Sequence, residues 1–213
     1  MRVQPVTGRT FCPFANGCIR LLANGTFPTH PIPLEVLRQA DKVVCCDGAV
    51  KSYPNADVVI GDGDSVPVMY HDRLIRVDEQ EDNDLTKATR YCLKNFSPLR
   101  IAYLGCTGGR EDHTLGNVSL LVRYLKDFGV EGTMYTDHGT FVPAHGDQPF
   151  ECFPRQQVSI FNFGSSVLSS EGLKWQCYPT TEWWQGTLNE ATGTSFTIHA
   201  NGYYLVFRTY LPK

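Results

Sequence analysis

The chain has 213 residues, a length that fits one large domain or two small ones. Hydrophobic residues make up 42% and charged residues 19%, which excludes an intrinsically disordered chain. The formal net charge of -3 gives no overall attraction to nucleic acid or to an anionic membrane, so any anion-binding site has to be built locally.

The first segment, Met1–Gly17, is interrupted by Pro5, Arg9 and Pro13, and it lacks the continuous apolar stretch of a signal peptide. Apolar runs elsewhere are far shorter than the roughly 20 residues of a membrane span. The eight cysteines include no C-x-x-C pair, which disfavours a zinc site. We expect a reduced, cytoplasmic protein that binds neither nucleic acid nor membranes.

The first half of the chain alternates short apolar segments with segments of helical periodicity. The apolar segments are compact and run directly into polar loops. The longer segments carry apolar residues at helical spacing. In chain order the sequence predicts strands at Cys18–Ala23, Lys42–Cys46, Asp57–Ile60, Leu99–Leu104 and Val130–Thr136, and helices at Pro33–Ala40, Asn83–Asn95 and Asp112–Phe128.

These predicted strands are apolar throughout, which indicates a parallel sheet covered by helices on both faces. Loops that follow parallel strands meet at one edge of the sheet, and open α/β sheets bind their ligands there. We therefore expect Asp47, Asp62, Asp64 and the loop Gly105–Arg110 to converge although they are far apart in sequence.

After about residue 138 the pattern changes to short alternating segments separated by Gly, Pro and Asn. The predicted strands are Val158–Phe163, Ser166–Ser170, Leu173–Tyr178, Ser195–His199 and Tyr203–Arg208. The sequence thus predicts an α/β domain with a mostly parallel sheet over residues 1–138, followed by an all-β sandwich domain over residues 139–213.

The loop Gly61–Ser65 sets Asp62 and Asp64 two residues apart between small residues. Both carboxylates can reach one hard cation, and magnesium is usually held by one or two carboxylates together with substrate phosphates. The alternative is an ordinary surface turn, since Asp and Gly are common turn residues. The loop is a candidate magnesium site.

Further carboxylates follow in the sequence. Asp47 ends a neighbouring strand, and Glu79, Glu81, Asp82 and Asp84 crowd the entry to the next helix. We expect Glu79 and Asp82 only to stabilise the helix N-terminus, and Asp84 to contact a ligand. So many carboxylates at one edge repel each other unless a cation neutralises them, which indicates a metal that carries polyphosphate.

A glycine-rich loop, Gly105–Arg110, precedes a helix whose first turn contains Asp112 and His113. Glycines permit close backbone approach, a helix N-terminus offers free N–H groups, and the planar guanidinium of Arg110 matches phosphate oxygens. The loop matches neither the Walker A pattern nor the dinucleotide fingerprint. The alternative is a tight turn in which Asp112 caps the helix.

In order and spacing, these motifs resemble those of the thiamine pyrophosphokinase family. The likeness covers roughly residues 20–210. The matching motifs are Cys46–Gly48, Gly61–Ser65, Asn83–Lys87, Gly108–His113 with Asn117, Glu171–Trp175 and Asn189-Glu190.

The resemblance implies attack of the thiamine hydroxyl on the β-phosphorus of ATP, which gives thiamine diphosphate and AMP. It also implies a homodimer with thiamine between subunits, and Mg2+ on Asp62, Asp64 and Asp84, with Asp47 close to the reacting groups and all four counted as catalytic. The implied nucleotide-binding residues are Asn24, Gly25, Asp47, Gly48, Gly108, Gly109, Arg110, Asp112 and His113. The implied substrate-binding residues are Gln80, Asn117, Leu188 and Asn189.

The chain departs from the family pattern at three places. Ala49 stands where the family often has glycine, and glutamates stand at 79 and 81 in a segment that usually carries aspartates. Leu188 replaces a serine whose hydroxyl is expected to touch thiamine.

Two other functions stay open. Leu188 favours another magnesium-dependent diphospho- or phosphotransferase that uses a different alcohol. Ala49 and Glu81 favour a non-catalytic sensor of nucleotide or thiamine. A purely structural interaction protein would leave the acidic loops without an explanation.

Overall fold

The computed structural model describes residues 18–97 and 100–213. The expectations for residues 1–17, among them Cys12, and for Leu99 concern residues outside this description. The first half contains β1 Ile19–Leu22, α1 Pro31–Arg38, β2 Val43–Cys46, β3 Val58–Gly61, β4 Leu74–Arg76, α2 Asp84–Phe96, β5 Arg100–Leu104, α3 Glu111–Phe128 and β6 Glu131–Tyr135. The second half contains β7 Gly139–His145, β8 Gln148–Glu151, β9 Gln156–Phe163, β10 Leu168–Glu171, β11 Asn189–Glu190, β12 Ser195–Ala200 and β13 Tyr203–Pro212.

The predicted parallel sheet is confirmed. Its strands lie in the order β6-β5-β1-β2-β3-β4, and each neighbouring pair is parallel. Both β1 and β2 are buried at every position, as the continuous apolar segments indicate. The sequence analysis missed β4, because this strand of three residues lies at the sheet edge, where its partly exposed side chains need not be apolar.

Apolar cores lie on both faces of this sheet. Leu85 and Cys92 of α2 and Leu121 of α3 pack in one core, while Val36 and Leu37 of α1 pack in the other. The sequence explains where these helices begin and end: Asn83 accepts a hydrogen bond from the Thr86 N–H at the start of α2, and α3 ends at Gly129 with φ 68°. The predicted α/β layering is therefore correct.

The second half is the predicted β-sandwich. A three-stranded sheet, β10-β12-β8, faces the extension β11-β9-β13-β7 of the large sheet. Ile160 of β9, Val206 of β13, and Phe196 and Ile198 of β12 belong to one buried core between the two layers. The predicted strand Leu173–Tyr178 is wrong: Leu173 forms only an isolated bridge to Ala191, and side-chain hydrogen bonds hold the following loop instead.

The two halves share one sheet. Strands β6 and β7 pair antiparallel through Met134 with Phe141 and Tyr135 with Thr140, so ten strands form one continuous sheet. His138 lies in the turn between these strands and Gly139 is the first residue of β7. The domain limits at this point stay a prediction. No helix in the described ranges is long and apolar enough to cross a membrane.

Candidate active site

The strand order creates a crevice at one edge of the parallel sheet. From β1 the chain proceeds through β2, β3 and β4 on one side and then returns to β5 on the other side of β1. Ligands of open α/β sheets bind at such a switch point, at the carboxyl ends of the strands. A cleft of about 630 Å³ lies here. Its lining residues are Ala23, Asn24, Gly25, Cys46, Asp47, Asp62, Gln80, Glu81, Asp82, Asn83, Asp84, Leu85, Lys87, Gly109, Arg110, His113 and Asn117.

The cleft brings together most of the predicted site residues. Strand ends β1, β2, β3 and β5 and the first turns of α2 and α3 supply them. Among the predicted residues, Gly48, Asp64, Gly108 and Asp112 do not line the cleft. Leu188 and Asn189 line a different pocket in the β half.

Asp47 occupies a strained and incompletely satisfied position. Its backbone lies in the left-handed region with φ 40°, which is uncommon for a residue other than glycine. Its carboxylate is buried, and Oδ2 accepts a hydrogen bond from the Ser65 hydroxyl. The other oxygen, Oδ1, is buried without a hydrogen-bond partner among the described residues. Backbone strain and an unsatisfied buried oxygen are typical of functional sites rather than of a stability core.

The glycine neighbours of Asp47 permit this close packing. A Cβ added to Gly61 would lie 2.8 Å from the Asp47 Cβ, and one added to Gly48 would lie 2.6 Å from the Ser65 Oγ. Gly48 therefore shapes the site through packing and does not itself line the cleft. The predicted nucleotide contact at Gly48 stays a prediction.

Among the carboxylates of the cleft, Asp84 has a shifted pKa. Burial raises the pKa of this carboxyl, Lys87 opposes the increase, and the nearby charges of Asp47 and Asp62 raise the pKa further. The charges of Asp47 and Asp62 thus act on Asp84 although the three residues are far apart in the sequence. Repulsion between carboxylates at this edge of the sheet was expected from the sequence, and it acts on Asp84.

The loop after β3 places its two aspartates differently. Asp62 lines the cleft, and its Oδ1 accepts a hydrogen bond from the Asp64 N–H at 3.1 Å. The Asp64 side chain is exposed and does not line the cleft. Within residues 18–97 and 100–213, no group of three His, Cys, Asp or Glu side chains is placed to hold a metal ion. The loop alone is therefore not a closed protein metal site.

The donor set of the cleft still fits a hard cation that takes further ligands from a substrate. Asp47, Asp62 and Asp84 supply carboxylate oxygens, and the buried Oδ1 of Asp47 has no protein donor in the described part of the chain. Magnesium commonly binds one or two carboxylates and completes its shell with water and phosphate oxygens. Such a shell does not require three convergent protein ligands.

Arg110 and Asp112 form an exposed ion pair at the start of α3. Arg110 Nε donates to Asp112 Oδ1 at 3.1 Å, and Nη2 lies 2.6 Å from Oδ2. Hydrogen bonding to Arg110 lowers the pKa of the Asp112 carboxyl. Asp112 also accepts from the His113 N–H at 2.9 Å, but the N-cap position belongs to Arg110. The alternative prediction of Asp112 as the helix cap is thus wrong.

The residues of the acidic segment before α2 have two different surroundings: some form ion pairs with the helices, and others line the cleft. Asp82 accepts hydrogen bonds from Arg90 and Arg123, and Glu79 also pairs with Arg90. These ion pairs fasten the segment to α2 and α3. Gln80 and Glu81 line the cleft between the fastened residues.

The expectation that Glu79 and Asp82 serve the structure agrees with these contacts. These two residues stabilise the structure through ion pairs and not by capping the helix, because Asn83 is the N-cap of α2. Asn117, predicted to bind substrate, donates from Nδ2 to the Cys106 carbonyl at 2.9 Å and accepts from Asn83 at 3.3 Å. It lines the cleft and also joins α3 to the loop after β5.

A second pocket, of about 440 Å³, lies in the β half and shares no lining residue with the cleft. Leu188 lines this pocket; its backbone φ is 65°, and the residue is 68% exposed. Asn189 is buried, and its amide accepts from the Trp175 N–H at 3.1 Å and donates to the Trp175 carbonyl at 2.7 Å. Asn189 therefore positions the backbone of Trp175.

Three residues that shape these pockets were not predicted as site residues. Lys87 lies in the cleft with a buried side chain, Ser65 holds Asp47, and Trp175 lines the β pocket. All three belong to motifs that the sequence analysis had quoted. A sequence motif does not show whether a side chain is buried or which group it bonds to. The roles of these three residues therefore became visible only in the structure.

Another pocket, of about 220 Å³, lies near Arg100 and Glu131, the first residues of β5 and β6, and so at the opposite edge of the sheet. None of the predicted site residues lines it. The sheet topology and the convergent carboxylates favour the 630 Å³ cleft as the candidate active site.

Comparisons with known proteins agree with this assignment. Residues 34–131 match a family described as the catalytic domain of thiamin pyrophosphokinase, and residues 139–207 match its substrate-binding domain. No curated protein sequence matches the chain significantly.

Solved structures with similar folds include several thiamine pyrophosphokinases. The enzyme from Bacillus subtilis has 19% identity and a TM-score of 0.72, over 90% of this chain and 98% of its own. The Candida albicans protein has 18% identity and a TM-score of 0.74, over 98% of this chain and 95% of its own. The yeast protein has 17% identity and a TM-score of 0.74, over 91% of this chain and 86% of its own. At these identities the structures establish a common fold.

Proposed function

The chain belongs to the thiamin pyrophosphokinase family, and we infer that it is a thiamine diphosphokinase, which transfers a diphosphate group from ATP to the hydroxyl of thiamine. The observation that carries this inference is the acidic cleft at the switch point, where Asp47, Asp62 and Asp84 lie close to Gly109 and Arg110. Carboxylates on one side and phosphate-binding groups on the other are what a metal–polyphosphate substrate requires.

We propose that Mg2+ accompanies ATP and that Asp62 and Asp84 hold it, with Asp64 as a third ligand on the strength of the family resemblance. The exposure of Asp64 and the unsatisfied Oδ1 of Asp47 make Asp47 an additional candidate donor. A bound magnesium ion would neutralise charge on the polyphosphate.

The chain's own residues then position the two substrates. In our proposal Asn24, Gly25, Gly109, Arg110 and His113 contact the nucleotide. Arg110 would exchange its exposed partner Asp112 for phosphate oxygens, an exchange that costs little because the pair is in water. This places the β-phosphorus beside the carboxylates.

The thiamine hydroxyl attacks that phosphorus, AMP leaves, and the hydroxyl proton passes to Asp47 or Asp84. Both carboxylates line the cleft that would hold the reacting groups. Catalysis of this kind depends mainly on positioning and charge stabilisation. We therefore assign the largest catalytic effect to the carboxylates of the cleft.

We propose that two copies of the chain complete the site. Of the four predicted substrate-binding residues, Gln80 and Asn117 line the acidic cleft, whereas Leu188 and Asn189 line a pocket that shares no residue with it. The predicted acceptor contacts of one chain are therefore divided between two pockets.

Two exposed aromatic residues, Trp175 and Tyr178, line the β pocket, and each is 51% exposed. Trp184, which is 70% exposed, precedes the lining residue Gln185 in the sequence. Large exposed apolar groups of this kind indicate a protein interface. A symmetric dimer can place the β pocket of one copy against the cleft of the other.

Leu188 supports one alternative acceptor. An exposed apolar side chain at the β pocket offers no hydroxyl to a substrate. A transferase of the same mechanism acting on a different alcohol would fit this departure. A panel of alcohols tested with ATP would separate the two acceptors.

We also propose a reducing, cytoplasmic location. Six cysteines of the described part are free thiols, namely Cys45, Cys46, Cys92, Cys106, Cys152 and Cys177. Burial raises the pKa of the Cys45 and Cys92 thiols to about 12, which keeps them protonated and unreactive. Fractionation of cells that express the protein would test this location.

The proposed activity is tested by measuring AMP release from ATP and Mg2+, with and without thiamine, and by detecting the phosphorylated product by mass. We expect AMP release that depends on thiamine and a product of the mass of thiamine diphosphate. ATP binding without this product would point to the sensor, and a product only with another alcohol would point to the alternative transferase.

A further inference from the structure

One buried cation lies in the acidic cleft and has no role in the mechanism described so far. Lys87 lies in the first turns of α2, and its side chain is 4% exposed. It lines the cleft together with Asp47, Asp62 and Asp84. Lysine is almost never buried to this degree unless its charge is paired.

The pairing of Lys87 is incomplete. Its Nζ donates to Asp84 Oδ1 at 3.3 Å, which is longer than a typical charge-assisted hydrogen bond. An ammonium group donates three hydrogen bonds, and Asp84 is the only partner seen for Nζ among the described residues. The Lys87 ammonium group can therefore donate further hydrogen bonds to a ligand in the cleft.

Charge balance makes this capacity relevant to a polyphosphate. Five carboxylates line the cleft: Asp47, Asp62, Glu81, Asp82 and Asp84. The lining also contains two basic side chains, Lys87 and Arg110, and the Arg110 side chain is 73% exposed and paired with Asp112. Lys87 is thus the cation that burial holds in place, and a fixed charge in a region of low dielectric acts more strongly than an exposed one.

We propose that Lys87 is a direct ligand of the nucleotide's phosphate chain, which it binds through its ammonium group next to Asp84. This inference rests on the proposed function and adds a residue to it. Lysine is a common point-charge ligand for phosphate, and the first turn of α2 directs its N-terminal dipole toward the same anion. The alternative is an ion pair that only stabilises the fold.

Binding measurements separate these two roles. Calorimetry with Mg2+ and either α,β-methylene ATP or inorganic tripolyphosphate compares the wild type with Lys87→Met, which keeps the volume and removes the charge. We expect roughly ten- to hundredfold weaker binding of both probes, as expected for the loss of a charged hydrogen bond. Lys87→Arg should recover part of the affinity. Lys94→Met, an exposed position on the same helix, is the matched control and should bind like the wild type.

Unchanged affinity of a folded Lys87→Met protein for both probes would overturn the inference. If that variant does not fold, the ammonium resonance of Lys87 in the wild type decides. Assigned with the Lys87→Arg variant, this ¹⁵N signal should shift on addition of α,β-methylene ATP, and a signal that does not move at saturation would overturn the inference. Thiamine diphosphate formation by the wild type is measured in parallel, so failure of the proposed function is recognised separately.

Discussion

The acidic cleft and the β pocket are built in opposite ways. In the cleft, residues from four strand ends and two helix N-termini converge, and the buried Oδ1 of Asp47 has no hydrogen-bond partner among the described residues. In the β pocket, the side-chain amide of Asn189 forms hydrogen bonds with the backbone of Trp175, and Leu188 is exposed. The cleft thus keeps a carboxylate oxygen available for a ligand. In the pocket, the polar side chain of Asn189 is used to hold the surrounding loop.

In the proposed function, the cleft carries out the chemistry and the β pocket recognises the acceptor. The topology of a parallel sheet fixes the cleft, and any sequence with this fold places its strand ends there. The β pocket depends on a loop, and loops accept substitutions such as Leu188 more readily. We expect substitutions in the cleft to abolish catalysis and substitutions in the pocket to change stability or acceptor affinity.

The largest effect is expected for Asp47→Asn. The change removes the charge of the buried carboxylate but keeps its shape, and Asn tolerates φ 40°. We predict a loss of about a thousandfold in kcat, the scale of removing a major electrostatic contribution, with a melting temperature equal to or above that of the wild type. Steady-state kinetics and thermal unfolding measure both. Asp72→Asn, on an exposed side chain, is the control; near-normal turnover of Asp47→Asn would remove this residue from the mechanism.

The next effect is expected on stability. Asn189→Ala leaves the Trp175 N–H and carbonyl without their side-chain partner. We predict a loss of about 1–3 kcal/mol in the free energy of unfolding, since a buried polar group loses its hydrogen bond. Denaturant titration measures it. Unchanged stability together with lost thiamine binding would instead make Asn189 a substrate contact.

A smaller effect is expected for Leu188→Ser, which restores the residue of the family pattern. If thiamine is the acceptor, we predict a KM for thiamine lower by about tenfold, the scale of a substrate hydrogen bond, with an unchanged KM for ATP. Kinetics with each substrate varied in turn separates the two constants. A change in the KM for ATP instead would contradict the division between cleft and pocket.

The smallest effect concerns a surface pair far from the cleft. A hydrogen bond from His199 to Asp147 raises the pKa of His199 above the ordinary histidine value of about 6.5. The stability from this pair is therefore fully present below about pH 6.5 and is lost as the pH rises through the higher folded-state pKa. We predict that His199→Gln lowers the melting temperature slightly at acidic pH and leaves it unchanged at alkaline pH. An equal decrease at every pH would exclude the charge effect.

The sequence was sufficient for the parts of the cleft that depend on strand order. Apolar segments followed by Asp47 or by Gly61–Ser65 predicted that these residues lie at one edge, because parallel strands present their carboxyl ends together. The helix starting after Asn83 was predicted for a similar reason, since capping is local in sequence.

The remaining features depend on contacts between distant segments. Nothing in the pattern around Asp64 indicates that its side chain is exposed. A structural role was expected for Asp82, but its partners Arg90 and Arg123 were not, because they lie 8 and 41 residues away in the sequence. The continuation of the sheet through β6 and β7 also escaped prediction, because a change in residue pattern was interpreted as a change of domain. Side-chain partners and sheet continuity are tertiary properties.

The central claim, that the cleft of one copy works with the β pocket of the other, is tested most directly by mixing two inactive variants. Asp47→Asn impairs the cleft, and Leu188→Arg blocks the β pocket with a charged side chain. Each variant alone should be inactive. Subunit exchange should restore about a quarter of wild-type activity, because half of the dimers are mixed and each mixed dimer has one intact site of two. A mixture that stays inactive although mixed dimers are detected by native mass spectrometry would contradict the shared site.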